Sequence, residues 1–526
     1  MLDHVNRRRF LQSASAAAVF RPELAPERDR WVELAESLKP RLRETARDPV
    51  ALVNPVADKA RFLGWRMERV AQPGALRERL MGHGDSAILD FGGHMTGHVS
   101  LSFAGEGRGV DAPARIKLIF GEVPAEVAEP FDPFHGGLSR AWLQDEVINV
   151  DVLPATIRMP RRYAFRYLKL EVIDTSPNFK VRIDNVKAVA LTSGGVGPQP
   201  LDRIDAVSIA TLRDCMQTVF EDGPKRDRRL WIGDLRLQAL TNYATFRNYD
   251  LVKRCLYLFA GLAREDGMVS ACVFEDPKPL RGHEYIVDYA ALYPATVLDY
   301  ARASNDWQTA RELWPVAKRQ IELLRGSVDS GGLFVAPPKS WVFVDWCDAL
   351  DRTAAMQGIF VYCLHQAAEL ATKVGDEATA AQYSDLAGRM TAAARTAFYD
   401  AARRVFVSGP QRQVSWASQA WMALSGVATR TEGADALRAV AKMSEAVRPG
   451  APYLYHYVAE AMLQCGMKQE AQDLIQWYWG GMVEAGADTF WEVYDPANPA
   501  LSPYGNVLLN SYCHAWSCTP AYLLRR

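Results

Sequence analysis

The stretch Gly194-Gly195-Val196-Gly197-Pro198-Gln199-Pro200 divides this 526-residue chain into two parts with different hydrophobic periods. Glycine and proline at that density interrupt helix and strand alike, so the stretch reads as a linker. Upstream, Val99, Leu101 and Phe103 alternate with Ser100 and Ser102. Ile116, Leu118 and Phe120 repeat the period, as do Ile148, Val150 and Val152, Leu168, Leu170 and Val172, and Phe179, Val181 and Ile183. Alternation sets one face of a strand on a core and the other in water, the pattern of an antiparallel sandwich. Gly92-Gly93, the run from Gly105 to Gly109 and Gly136-Gly137 read as turns between strands. Residues 81–197 are therefore expected to form a β-sandwich, and the mixed pattern of residues 31–80 a partly helical N-terminal segment.

Downstream the period changes to 3.6. Leu313, Val316, Ala317, Ile321 and Leu324 share one helix face. Met356, Phe360, Leu364, Ala367 and Leu370 mark a second face, and Tyr383, Leu386, Met390, Ala393 and Ala397 a third. Turns such as Ala303-Ser304-Asn305-Asp306 separate them. Roughly ten to twelve helices fit into residues 203–526, and a run that long buries a common core by stacking or by closing into a ring. No strict repeat is visible, which favours an (α/α)6 toroid over a regular solenoid. The expected fold is thus multidomain, an antiparallel β-sandwich followed by an all-α (α/α)6 barrel.

The charge balance, 61 basic against 62 acidic residues, leaves no basic excess for a nucleic-acid partner. Fourteen Trp and twenty Tyr suit a protein that stacks rings on sugar faces, although most aromatic residues in any chain build the core. The eight Cys are scattered without a CxxC pair, so neither a zinc site nor a dithiol motif is expected. No apolar run is long enough to cross a membrane. Asn6-Arg7-Arg8-Arg9-Phe10-Leu11-Gln12 resembles the twin-arginine export motif, and the apolar Ser13–Phe20 stretch follows it. Residues 1–30 are accordingly read as a signal segment and the mature protein as periplasmic or secreted.

The densest cluster of reactive side chains is Asp222-Gly223-Pro224-Lys225-Arg226-Asp227-Arg228-Arg229-Leu230-Trp231-Ile232-Gly233-Asp234. Glycoside hydrolysis needs a carboxylic acid for the leaving oxygen and negative charge beside an oxocarbenium-like transition state. Clustered acids supply both, because like charges raise one another's pKa. By spacing alone the cluster reads as a solvated or salt-bridged charge run opening a helix. Gly486-Ala487-Asp488-Thr489-Phe490-Trp491-Glu492-Val493-Tyr494-Asp495 sets a second acid among aromatics. Trp341-Val342-Phe343-Val344-Asp345-Trp346 and Asn510-Ser511-Tyr512-Cys513-His514-Ala515-Trp516 are further polar–aromatic groups.

Together these segments resemble the bacterial α-L-rhamnosidases of glycoside hydrolase family 78. Asp222, Asp227, Trp231 and Asp234 match its first signature in order and spacing, and Gly486 to Glu492 match its second, with Asp488 in place of a Thr. The run from Arg161 to Tyr167 resembles the sandwich that precedes the barrel in these enzymes. The resemblance implies an exo-acting, inverting hydrolase of terminal α-L-rhamnosides, with Asp227 as general acid, where many members have Glu, and Glu492 as general base. It implies that Asp222 and Asp234 hold sugar hydroxyls, and that Arg226, Trp231, Asp345, Trp346, Trp491 and His514 line the sugar subsite. The substrate is a glycoside or an oligo- or polysaccharide, and neither metal nor organic cofactor is expected. Arg226 and Arg228 flank the acid and must point away from it. The sequence ends at Arg526 without the C-terminal β-domain common in the family, so a more open pocket is expected. Two other readings stand beside this one. One is a catalytically weakened carbohydrate-binding relative. The other is a different glycosidase, or a polysaccharide lyase that would use Tyr285, His283 and His514.

Overall fold

The computed structural model describes residues 25–526. The twin-arginine motif and most of the 1–30 segment lie outside the described residues. The described chain opens with helix α1 (Ala25–Ser37) and then enters strands β1 (Arg43–Arg47), β2 (Ala51–Ala57), β3 (Trp65–Ala71), β4 (Leu80–Met81), β5 (Ser86–Gly107) and β6 (Ala114–Gly121). A short helix α2 (Pro124–Ala128) leads to β7 (Asp145–Val150), β8 (Ala155–Arg158), β9 (Tyr163–Asp174) and β10 (Phe179–Thr192). All ten strands join one sheet through antiparallel pairs.

Strand β5 holds that sheet together. Ser86–Asp90 pair with β9 and Met95–Gly97 pair with it again, while Gly97–Gly107 also run along β10. Between them the register shifts, and Gly92 there adopts φ 77°, open to a residue without Cβ. A bulge of this kind bends a strand and lets it pass from one layer to another. Gly92-Gly93 is thus a bend within a strand and not the turn expected from sequence. The two arms enclose one core, in which Leu89, Leu101 and Phe103 meet Leu118, Leu168, Leu170, Val181 and Ile183. The alternation identified those positions other than Leu89, while β7 ends at Val150 and leaves Val152 exposed. The expected division at residue 81 also shifts, because β1 to β4 already belong to the sheet. Their alternation is hard to read because β1 is exposed along most of its length and β3 is at best half-buried.

After the linker come α3 (Arg203–Cys215), α4 (Ile232–Ala244), α5 (Tyr249–Gly261), α6 (Val287–Ser304), α7 (Trp307–Leu324), α8 (Thr353–Val374) and α9 (Glu377–Phe398). They are followed by α10 (Trp416–Leu424), α11 (Arg430–Val440), α12 (Pro452–Gln464), α13 (Lys468–Glu484) and α14 (Pro520–Leu523). Even-numbered helices pack side by side in the order α4, α6, α8, α10, α12, and each is hairpinned to the helix that follows it. Helix α12 returns through α14 to α3 and α4. The Asn305–Asp306 turn is built as its residue types demand: Asn305 takes φ 60° to end α6, and Asp306 accepts from the Thr309 amide at 3.0 Å to start α7. On α9 the buried face runs through Tyr383, Ala387, Met390, Ala394 and Phe398, rotated from the expected one, and Ala397 is exposed. Helix α1 lies against α5 and buries Trp31 and Ala35 in the helical core, so it belongs to this half of the molecule.

Candidate active site

The loop from Asp222 to Arg229 precedes a two-residue strand β11 (Leu230–Trp231), which pairs with β12 (Cys272–Phe274), itself paired with β13 (Leu280–Arg281). This small sheet fixes Trp231 just before α4, whose first turn carries Asp234. The loop closes on itself, the Asp222 amide donating to the Arg229 carbonyl at 3.0 Å. Asp227 and Arg228 both adopt positive φ, 71° and 55°. Non-glycine residues there cost about 1–3 kcal/mol each and persist only where the surroundings hold them. The holding groups are the loop's own cations, each taken by a different partner. Lys225 reaches Glu126 in α2. Arg226 turns to Glu492. Arg228 donates to the Pro224 and Arg162 carbonyls at 2.9 and 2.8 Å. Arg229 brings Nε to 3.1 Å from Asp227 Oδ1 without a hydrogen bond. The flanking arginines thus point away from Asp227, as required, while a third guanidinium approaches it. The other oxygen, Oδ2, accepts the Trp231 indole N–H at 2.8 Å.

Glu492 comes from the loop after α13. Its backbone amide donates to the Ser511 carbonyl, the His514 amide donates to Phe490, and the Ala515 amide donates to the Asp222 carbonyl. These three bonds bring 222, 492 and 514 together. The Glu492 carboxylate accepts from Arg226 Nη2 at 2.7 and 2.6 Å, from the Ser511 amide at 3.1 Å and from the Tyr504 hydroxyl. Burial alone would raise its pKa; the Arg226 guanidinium, then His514 and the Tyr504 hydroxyl, more than offset this and hold it at about 2.

One pocket is lined by Asp222, Arg226, Asp227, Trp231, Asp234, Glu492, Tyr504 and His514 on its polar side. Ile286, Tyr289, Trp341, Phe343, Trp346 and Trp516 form the apolar side. Two roomier hollows open elsewhere, beside Arg325 and Arg389 and beside Arg77 and Lys187, and neither is lined by a buried carboxyl. Within the pocket, burial first and then the charges of Asp227 and Asp234 push Asp222 well above the carboxylate range. Asp234 is raised by burial, Glu492 and Asp227. His514 Nδ1 stands 3.7 Å from Asp234 Oδ1, and burial pushes the imidazole down to about 4, so it is neutral near pH 7. Asp234 Oδ1, His514 Nδ1 and Trp346 Nε1 are buried with no hydrogen-bond partner among the described residues. Buried polar atoms are almost always paired, so a cluster of unpaired ones facing a pocket calls for a hydroxylated ligand.

Eight of the ten expected residues line this pocket. Trp491 does not: its ring is buried and stacks on Phe62 at 3.9 Å, joining the two halves of the molecule. Asp345 also sits behind the wall, where it accepts the Gly450 amide at 2.5 Å and is pushed up to about 7 by burial. Tyr285 lies under the Arg264 guanidinium and His283 is exposed, both away from the pocket, so of the three side chains named for a lyase only His514 lines it. Sequence reasoning missed Tyr504 and Tyr289. Tyr289 explains Gly233, because a Cβ there would come within 2.5 Å of that ring. Gly233→Ala is accordingly expected to cost about 1–3 kcal/mol by overpacking, read as a lower Tm with a parallel loss of turnover as Tyr289 is pushed into the pocket.

Carboxyl groups of opposite acidity around an aromatic-walled pocket, on a domain of paired helices, define a glycoside hydrolase. The chain belongs to glycoside hydrolase family 78, the α-L-rhamnosidases. Residues 198–526 match the bacterial alpha-L-rhamnosidase 6 hairpin glycosidase domain, and residues 49–190 the glycosyl hydrolase family 78 alpha-rhamnosidase N-terminal domain. A rhamnosidase from Klebsiella oxytoca, solved with rhamnose bound, is 46% identical, with 94% of this chain and 98% of that one covered and a TM-score of 0.92. A family 78 rhamnosidase from Bacillus sp. GL1 shares the fold at 21% identity, TM-score 0.72, covering 88% of this chain and 49% of its own. An α-L-rhamnosidase from Streptomyces avermitilis complexed with L-rhamnose does so at 18% identity, TM-score 0.65, covering 92% and 44%. No curated protein matches.

Proposed function

We propose that this chain is an exo-acting, inverting α-L-rhamnosidase in which Asp227 protonates the leaving oxygen and Glu492 activates water on the opposite face of the sugar. The observation that carries the reading is the convergence of Asp222, Asp227, Asp234 and Glu492 on one pocket, opposite an apolar wall suited to the C5 methyl group of rhamnose. The succession of contacts from α4 through α12 and back to α3 supports a closed (α/α)6 toroid with the pocket at one end. Asp222 and Asp234, with His514, would hold the ring hydroxyls. Export is part of the same proposal and rests on the motif at Arg7–Arg9. Turnover of p-nitrophenyl α-L-rhamnoside, with β-L-rhamnose as the first-formed anomer by NMR, tests it; α-L-rhamnose as first product would overturn inversion.

A second reading exchanges the acid. Both Asp227 oxygens face donors, Arg229 and Trp231, whereas Asp222 is driven toward its protonated form. That favours Asp222 as the carrier of the donated proton.

The pH dependence follows from the same groups. A general base must be ionised, so activity falls on the acid side as pH drops through its pKa. With Glu492 at about 2, kcat/KM, which reports the free enzyme, is expected to show no acidic limb above pH 4 and a single alkaline limb from the proton donor. In the complex the sugar competes for Arg226, so kcat is expected to gain an acidic limb at higher pH. Stopped-time assays across the folded pH range check this; an acidic limb near pH 5 in kcat/KM would mean that Arg226 does not hold the resting base.

A further inference from the structure

Lys225 is only 2% exposed, yet its ammonium is fully engaged. Nζ donates to Glu126 Oε1 at 2.5 Å, to the Asn510 carbonyl and to the Leu508 carbonyl at 3.3 Å. Glu122 Oε2 stands 3.5 Å away, and the Tyr512 ring lies 5.1 Å beneath it. The two glutamates belong to the β-domain, at the turn into α2. Glu126 also accepts from the Glu122 amide at 2.5 Å, and Glu122 accepts from the Tyr512 amide at 2.7 Å and meets His94 Nε2 at 3.1 Å. Three segments therefore meet at one buried charge: the loop that carries Asp227, the β-domain, and the 508–512 loop. From that loop the Leu509 carbonyl accepts Arg226 Nε at 3.1 Å and the Ser511 amide holds Glu492.

An unpaired buried charge is costly, so the site keeps its geometry or loses it as a unit. Inverting hydrolysis depends on the spacing of its two carboxyls, which leaves room for one water. We propose that Lys225 is a positioning residue that ties the acid loop and the base loop to the β-domain and thereby sets the separation of the two carboxyls. This inference rests on the rhamnosidase reading given above.

The test compares Lys225→Arg, Lys225→Met and the double variant Lys225→Met/Glu126→Gln in the full chain. The double variant removes both charges and leaves Glu122 paired with His94, so it is expected to fold. It is expected to bind L-rhamnose within about threefold of wild type by calorimetry, while kcat falls about 30- to 100-fold, the size of effect that a displacement near 1 Å produces. The loss is expected to be larger on methyl α-L-rhamnoside than on the p-nitrophenyl glycoside, because proton donation suffers most, and Lys225→Arg is expected to recover part of it. Amide exchange at 222–229 and 508–512 is expected to quicken together. A double variant whose kcat stays within threefold, or whose lost activity equals its lost rhamnose affinity, overturns the proposal. If wild type cleaves neither rhamnoside, the functional reading fails instead, and exchange then decides: unchanged protection at the two loops overturns the positioning role on its own.

Discussion

Replacing Glu492 with Gln is expected to lower kcat by about 10²–10⁴ on every rhamnoside, whatever its leaving group, because water activation is needed for all of them. The substitution preserves size, and the Ser511 amide still finds an oxygen. What it removes is the negative charge between Arg226 and the Tyr504 hydroxyl. Stripping one partner from a buried ion pair costs about 3–5 kcal/mol, so a lower Tm is expected as well. The sign of its pH dependence is fixed. Glu492 is held at about 2, below the unfolded glutamate value of about 4.3, so its stabilising contribution is complete above the unfolded value and lost as pH falls toward 2. The Tm gap between wild type and variant is therefore widest at neutral pH and closes below pH 4. Azide needs no base, and it is expected to restore turnover as a β-L-rhamnosyl azide. A variant within tenfold of wild type on both good and poor leaving groups, or rescue with retained configuration, would remove Glu492 from the role.

The acids of this site were legible in sequence because their chemistry is local: a carboxylate seven residues from another, at the mouth of a helix, is visible without a fold. The same holds for the strands, where Leu168, Leu170 and Val172 announce a buried face by their spacing. The aromatics were less legible. Trp491 adjoins the base in sequence but turns the other way, onto Phe62, which lies more than four hundred positions earlier in the chain. No local pattern states on which side of a loop a ring falls. Tyr504 was hidden for a related reason: it sits in the Pro503–Gly505 turn among small polar residues, and its importance arises only when that turn folds back over Arg226, with the guanidinium 4.4 Å from its ring. The charge cluster carried a third lesson. Four basic residues beside three acids look like mutual neutralisation, yet three of the four leave the acids of their own loop, for the β-domain, for Glu492 and for backbone carbonyls. The interleaving of charge in sequence serves to anchor a strained loop on its neighbours, and the aspartates stay crowded together because most of the cations have gone elsewhere.

That crowding makes the choice of proton donor testable with the largest contrast in this enzyme. Protonation matters in proportion to the basicity of the leaving oxygen. Loss of the true donor is therefore expected to cost about 10-fold or less on p-nitrophenyl α-L-rhamnoside and about 10³–10⁴ on the methyl glycoside, within the range a general acid supplies. A carboxyl that only binds hydroxyls costs both substrates alike. For Asp227→Asn the steep pattern is expected. Asp222→Asn is expected to show equal losses on the two substrates, as for a carboxyl that only binds hydroxyls. Asp is one methylene shorter than Glu, and Trp231 already holds one Asp227 oxygen while the Arg229 guanidinium stands beside the other. If these contacts do not yield to the glycosidic oxygen, the two patterns exchange: the steep dependence moves to Asp222→Asn, and Asp227 becomes the group that keeps its neighbour protonated. Kinetics on two leaving groups for two variants, followed across pH, separate these cases, because only one carboxyl can both set the alkaline limb and carry the leaving-group dependence.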